Sequence, residues 1–228
     1  KTDHKFMRIA LRLARQGHGT TSPNPSVGAV LVKGGQIIGR GRTAPAGGPH
    51  AEIAALRDAQ KRGGNPRGAT LYVTLEPCCT HGRTPPCTEA IKAAGIKRVV
   101  VGATDPNPKH GGKGFQILKQ AGIAVVHGVL ADECSRQNEA FNHWIVQRTP
   151  FVTVKAAMTL DGKIATASGE SKWITGALAR NHGMKLRQGS DAILVGVNTV
   201  LADDPSLTVR RLKDEGRRMK ENQLRRIV

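Results

Sequence analysis

Four residues could do hydrolytic chemistry together: His50, Glu52, Cys78 and Cys87. Zinc takes sulfur and nitrogen ligands in a tetrahedron, and a catalytic site keeps the fourth position open for water. His50, Cys78 and Cys87 supply three such ligands, and two thiolates balance the charge of the ion. Water at the open position ionises near pH ~7 and becomes a nucleophile. Glu52 follows His50 too closely to be a comfortable fourth ligand, but it can carry a proton from that water to a departing amine. Cys79 is the alternative to Cys78 as ligand; Cys78 is preferred because it directly follows Pro77.

The elements around these residues must bring them to one point. Mid-helix, residues two apart face away from each other, but on a first turn both can lean past the helix end. Pro49, Pro77 and Pro86 each precede a ligand, which predicts three helix starts, where free N–H groups and the dipole favour thiolates. The order His-x-Glu, Pro-Cys, Cys is the pattern of the zinc deaminases of nucleobases.

Phe6, Ile9, Ala10, Leu13 and Ala14 repeat at helical spacing, with Asp3 as the predicted N-cap and Gly17 as the stop. "VGAVLVKGGQIIGRG" reads as a hairpin around Gly34-Gly35. Helices are expected at 50–62, 87–95, 113–121 and 131–148, and strands at 69–76, "KRVVVGA" and "IAVVHGV". This alternation implies a layered α/β domain over residues 1–146. A second unit, 147–228, follows Thr149-Pro150 with a strand at "FVTVKAAMT", a helix around 176–188, a strand at "DAILVGV" and a loop "NTVLADDPSLTVR". It is short for an α/β domain and ends on an apolar run, so only the opening part of that domain is expected here.

The longest apolar runs are short and strand-like, so no membrane span is expected. No signal peptide is predicted, and the chain lacks an initiator Met, which leaves room for residues ahead of Lys1. Three of the four cysteines crowd into residues 78–87, a metal-binding or catalytic pattern, and a reducing cytoplasm is inferred. Cys134 reads as a plain buried thiol, and His18, His81, His110 and His127 as surface or loop residues. Lys+Arg 35 against Asp+Glu 17 gives +18, which suits phosphorylated ligands as well as nucleic acid. Aromatic residues make up only 3%, so the stacking platforms of a single-strand binder are largely missing.

"PNPSVGAVLV", "PHAE", "TLEPCCTHGRTPPC" and "DPNP" together resemble the bifunctional riboflavin-biosynthesis deaminase/reductase family. The likeness continues through "KAAMTLDGKIA", "SGESKWIT" and "ADDPSLTVR". It implies a cytidine-deaminase-like three-layer α/β domain followed by a truncated dihydrofolate-reductase-like α/β domain. It also implies zinc and NADPH as cofactors, a small pyrimidine ribotide as substrate, no nucleic-acid or membrane partner, and a homo-oligomer, dimer or tetramer. By the same resemblance, Asn24 holds the pyrimidine, Arg83 and Thr84 contact the ribose phosphate, and Asp105 and Asn107 belong to a loop that closes the pocket. Lys155, Ala157, Asp161, Ser171, Trp173, Arg187, Thr199, Asp203, Leu207 and Arg210 are assigned to a shared reductase pocket for NADPH and substrate. The sequence departs from the family at Thr43, where members often carry a histidine, which removes the basis for a substrate contact through that side chain. The reductase of the family continues past position 228, so the chain as given is expected to deaminate but not to reduce. Two rival readings are a tRNA adenosine deaminase and a structural-zinc nucleic-acid module. The eight-residue interval between Cys78 and Cys87 and the second domain speak against the first, and Glu52 would have no role in the second.

Overall fold

In the computed structural model of the chain, residues 1–82 and 85–209 and the backbone of 225–227 are described. Two compact units emerge, Lys1–Phe151 and Val152–Val228.

The first unit is built on a five-stranded sheet in the order β2-β1-β3-β4-β5. Its strands are β1 (Gly28–Lys33), β2 (Gln36–Arg42), β3 (Thr70–Leu75), β4 (Arg98–Ala103) and β5 (Ala124–Val126). β1 runs antiparallel to both β2 and β3, while β3, β4 and β5 run parallel. Gly34 and Gly35 both take positive φ, 56° and 76°, which suits the tight turn joining β1 to β2. The parallel half needs crossover helices, supplied by α3 (Cys87–Ala93) and α4 (Lys113–Gln120). Helices α1 (Thr2–Arg15) and α5 (Ala131–Gln137) pack on one face, and α2 (Ala51–Lys61), α3 and α4 on the other, giving three layers. Because both faces are covered, β1, β3 and β4 read as nearly continuous apolar runs.

α1 buries Phe6, Met7, Ala10, Leu11 and Ala14, so its core stripe is turned slightly from the expected one; Ile9 and Leu13 lie only partly buried at its edge. Asp3 is not the N-cap. Lys1 holds that position, and the Asp3 carboxylate instead accepts from both terminal nitrogens of Arg98, at 2.9 and 2.7 Å, and from the Tyr72 hydroxyl at 2.9 Å. On the opposite face, α2 lies so close to β2 that a Cβ on Gly41 would meet the Ala51 carbonyl oxygen at 2.1 Å.

The predicted single helix over 131–148 is two, α5 and α6 (Glu139–Gln147), divided at Asn138 (φ −122°, ψ 27°). Asn138 is buried, and its amide accepts from the Ser26 N–H at 2.7 Å and donates to the Ser26 carbonyl at 3.2 Å. That long-range pair outweighs one more helical turn, because both groups would otherwise be buried unpaired.

The second unit contains α7 (Ala177–Gln188), β6 (Ala192–Leu194), α8 (Val197–Asp203) and β7 (Arg225–Ile227), with β6 and β7 parallel. The strand expected at 151–159 is not formed, and no described segment pairs with those residues. A strand exists only by pairing, and sequence pattern alone cannot supply the neighbour. The loop expected from Asn198 instead opens as helix α8. Thr199 and Val200 donate to the Gly196 carbonyl, and Asp204, just before Pro205, leaves the helical region at φ 38°.

Candidate functional site

Strand β3 ends in Leu75, and the chain continues through Glu76 and Pro77 to Cys78. His50 is the N-cap of α2 in extended conformation (φ −68°, ψ 163°), which aims its ring past the helix end. Cys87 is the first residue of α3, with Pro86 as N-cap. Cys78 is not at a helix start as expected but in the loop after β3. The helix it uses is α3: the Cys87 N–H donates to the Cys78 sulfur at 3.3 Å, and the Thr88 N–H to the Cys78 carbonyl at 3.3 Å.

His50 Nδ1 lies 3.6 Å from Cys78 Sγ and 3.4 Å from Cys87 Sγ, and the ligand atoms of all three residues fall within 4.8 Å of one another. Tetrahedral ligands about 2.1 Å (nitrogen) and about 2.3 Å (sulfur) from a shared zinc ion stand about 3.6 Å apart, so the donor set fits that ion. Cys79 is not in the group; its sulfur faces His110 Nδ1 at 3.5 Å. Hydrogen bonding from the Cys87 thiol, and then from His50, pulls the Cys78 pKa down to about 4, against the opposing effect of burial. The same thiolate, with burial, pushes Cys87 up. A thiolate beside His50 raises the imidazole's pKa against its burial.

Glu52 sits in the first turn of α2 and is only 4% exposed. Burial, helped by the Cys78 thiolate, lifts its carboxyl to about 7, so it can both hold and release a proton near neutral pH. A cavity of about 200 Å³ opens beside it. Asn24, Thr43, His50, Glu52, Glu76, Cys78, Asp105, Asn107 and His110 line its polar side, and Phe141 and Ile145 of α6 contribute apolar wall. Cys87 is buried and is not among the residues lining the cavity.

Asn24 belongs to the segment pinned by Asn138 through Ser26; its backbone N–H donates to the Thr21 carbonyl at 2.8 Å, and its side-chain amide makes no hydrogen bond among the described residues. Asp105 Oδ1 accepts the Asn107 N–H at 2.8 Å, and Asn107 Oδ1 accepts the Lys109 N–H at 3.0 Å. Asn107 therefore has its amide nitrogen left for a ligand acceptor. Thr43 is buried in the wall, and its hydroxyl accepts the Val27 N–H at 3.1 Å, so it closes the start of β1. Arg83, Thr84 and Arg210 lie outside the described residues.

The remaining candidates are in the second unit. Arg187 donates to the Thr208 carbonyl at 3.3 Å, next to buried Leu207. Lys172 pairs with Asp203 at 3.6 Å, and the Arg180 guanidinium stands 4.7 Å above the Trp173 ring. Asp161 accepts the Thr159 hydroxyl in a tight turn. Lys155, Ala157, Ser171 and Thr199 make no hydrogen bond or ion pair with one another among the described residues. Sequence reasoning missed Glu76, Asn138 and the wall residues Phe141 and Ile145. A carboxylate following a buried apolar strand was the available signal for Glu76, since such a charge must find donors.

Residues 1–103 match the cytidine and deoxycytidylate deaminase zinc-binding region, and residues 150–228 match the RibD C-terminal domain. The riboflavin biosynthesis protein RibD of Aquifex aeolicus is 54% identical over 208 residues, which are 91% of this chain and 58% of that protein. RibD of Escherichia coli is 51% identical over 208 residues, covering 91% of this chain and 56% of its own. The chain thus spans somewhat more than half the length of these relatives. Among solved structures, the diaminohydroxyphosphoribosylaminopyrimidine deaminase/5-amino-6-(5-phosphoribosylamino)uracil reductase of Thermotoga maritima superposes with TM-score 0.88 at 49% identity, over 93% of this chain and 60% of that one. The Rib2 deaminase of Aspergillus oryzae matches with TM-score 0.51 at 27% identity, over 65% of this chain and 96% of that one. With likeness to the relatives running through both units at about half identity, the chain belongs to the RibD family of riboflavin biosynthesis proteins.

Proposed function

We propose that residues 1–146 catalyse zinc-dependent hydrolytic deamination of 2,5-diamino-6-ribosylamino-4(3H)-pyrimidinone 5′-phosphate in riboflavin biosynthesis, in the cytoplasm. The observation that carries this is a buried Glu52 beside three clustered zinc donors, two of which, His50 and Cys78, line one cavity with it. Zinc held by His50, Cys78 and Cys87 would supply a nucleophile from water near neutral pH and neutralise both sulfurs. Asn24 offers both a donor and an acceptor to the pyrimidine edge, and the Asn107 amide nitrogen a donor. Glu52 carries the protons: it delivers one to the ring nitrogen during attack and one to the amine as the C2–N bond breaks, so that water oxygen stays on C2 and ammonia leaves. Arg83 and Thr84 are assigned the ribose phosphate on the family likeness, and a guanidinium suits that anion.

Residues 147–228 are read as the opening part of the NADPH-dependent reductase, which in the full-length protein reduces the ribosyl side chain to ribityl. This reading rests on the likeness to the relatives. NADPH supplies the hydride when bound. The reductase candidates among the described residues do not gather around one site. The working unit is read as a homo-oligomer, dimer or tetramer, acting on a small ribotide and not on nucleic acid or at a membrane. No described helix is long and apolar enough to cross a membrane. A structural-zinc module would need a fourth ligand, whereas the only candidate donor cluster among the described residues has three members.

The test is ammonia release from the ribotide, with zinc assayed in parallel and Glu52→Gln as control. The expected result is about one zinc per chain in both proteins and turnover lowered about 10²- to 10⁴-fold in the variant. Full turnover in Glu52→Gln, or no zinc in either protein, would overturn the reading.

A further inference from the structure

We propose that Glu76 is the positioning residue of this site: its carboxylate gathers three backbone N–H groups of segment 105–114 and so fixes Asp105 and Asn107 against the cavity. The inference rests on the deaminase reading above. Glu76 is 4% exposed, and a carboxylate so deeply placed needs several donors. Its Oε2 accepts from the Asp105 N–H at 3.2 Å and the Gly112 N–H at 3.0 Å, and its Oε1 from the Gly114 N–H at 2.9 Å. No lysine or arginine pairs with it among the described residues, so these amides are its partners. Two of the three belong to the N-cap and first turn of α4, whose dipole favours a negative charge there.

The local sequence is shaped to this contact. Gly112 caps α4 at φ 82°, a conformation open to glycine. A Cβ on Gly114 would meet the Pro77 carbonyl oxygen at 2.6 Å and Glu76 Oε1 at 3.0 Å, so only glycine lets the N–H approach. One carboxylate thus clamps both ends of the stretch, Asp105 and the start of α4. Inside the clamp, Asp105 orders Asn107, and Asn107 orders Lys109. Loosening it would displace the amide nitrogen that Asn107 turns toward a ligand, while leaving the three zinc donors in place. Substrate affinity should respond before the chemical step does.

The experiment uses the full chain with Glu76→Gln. This variant keeps the size and one acceptor oxygen, but sets an NH₂ group against at least one of the three N–H groups. The expected result is KM raised about tenfold with kcat changed less than about threefold, and zinc content unchanged. Backbone amide exchange of 105–114 should speed up about tenfold. In an Asn107→Ala background the KM effect of Glu76→Gln should shrink to what Asp105 alone transmits, because Glu76 and Asn107 act in series. Equal KM effects in both backgrounds, unchanged exchange, or loss of zinc together with kcat would overturn the proposal. A wild type without turnover would overturn the deaminase reading instead. Exchange then still decides Glu76: faster with zinc retained supports it, unchanged overturns it. Should Glu76→Gln fail to fold, Glu76→Asp keeps the charge, shortens the reach, and is read by the same criteria.

Discussion

The first unit hides its apolar side chains and the second displays them. Met7, Leu11, Leu31, Leu71 and Leu118 are all buried to within 2% in the first. In the second, Val154, Leu160, Leu178 and Leu201 are exposed at 75% or more, and Leu207 is the single buried apolar residue among those described. The site follows the same division. His50, Glu52, Cys78 and Cys87 hang from elements whose other faces are locked in a packed core, and they converge. The reductase candidates sit on helices and turns with little buried behind them, and Arg187 and Asp203 bond to Thr208 and Lys172, outside the candidate set. In the first unit the convergence of functional groups follows from the packing of the elements that carry them.

The sharpest way to test that comparison is at the metal. Cys87→Ser removes a thiolate seated on the first turn of α3. Zinc content should fall to less than about a tenth of the wild-type value and ammonia release should disappear with it. Arg187→Ala in the second unit should leave both unchanged, as read by metal analysis and the same assay.

Packing comes next. Leu71→Ala, at 1% exposure in β3, should cost about 2–5 kcal/mol in urea unfolding. Leu160→Ala, fully exposed, should stay within about 0.5 kcal/mol. Equal costs would break the contrast between the units.

The smallest effect concerns the tie between α1 and the sheet. Arg98 holds the Asp3 carboxyl below its ordinary pKa through paired hydrogen bonds. A depressed carboxyl stabilises the fold above its unfolded pKa and loses that contribution as pH falls through the folded value. Arg98→Ala should therefore cost about 1 kcal/mol at pH 7, and its difference from wild type should shrink in strong acid, as read from urea midpoints at both.

Much of this was legible in the sequence for definite reasons. Proline before His50 and Cys87 marks a helix entrance, and ligand chemistry limits what a Pro-Cys and a His-x-Glu at such entrances can be. The hairpin was readable because Gly34-Gly35 separates two apolar runs. Three things were not. Glu76 and Asn138 act on backbone groups 29 to 112 residues away, and a hydrogen bond to a distant N–H leaves no mark on local periodicity. The break between α5 and α6 comes from the Ser26 contact and not from a helix-breaking residue. The failed strand at 151–159 has the right composition but no described partner, which composition cannot reveal.

Gly41 extends the functional map beyond the residues that touch a ligand. Its missing side chain leaves room for the carbonyl of Ala51, the residue between His50 and Glu52. A single methyl group added there would push on the hinge between donor and proton carrier from the far side of a helix. In a mutational scan scored by zinc retention, position 41 should therefore rank with the ligands themselves, although it lies nine residues before the nearest of them. Tolerance to substitution around this centre is set by the thickness of the backbone-to-backbone contact, and a survey confined to side chains facing the cavity would overlook it.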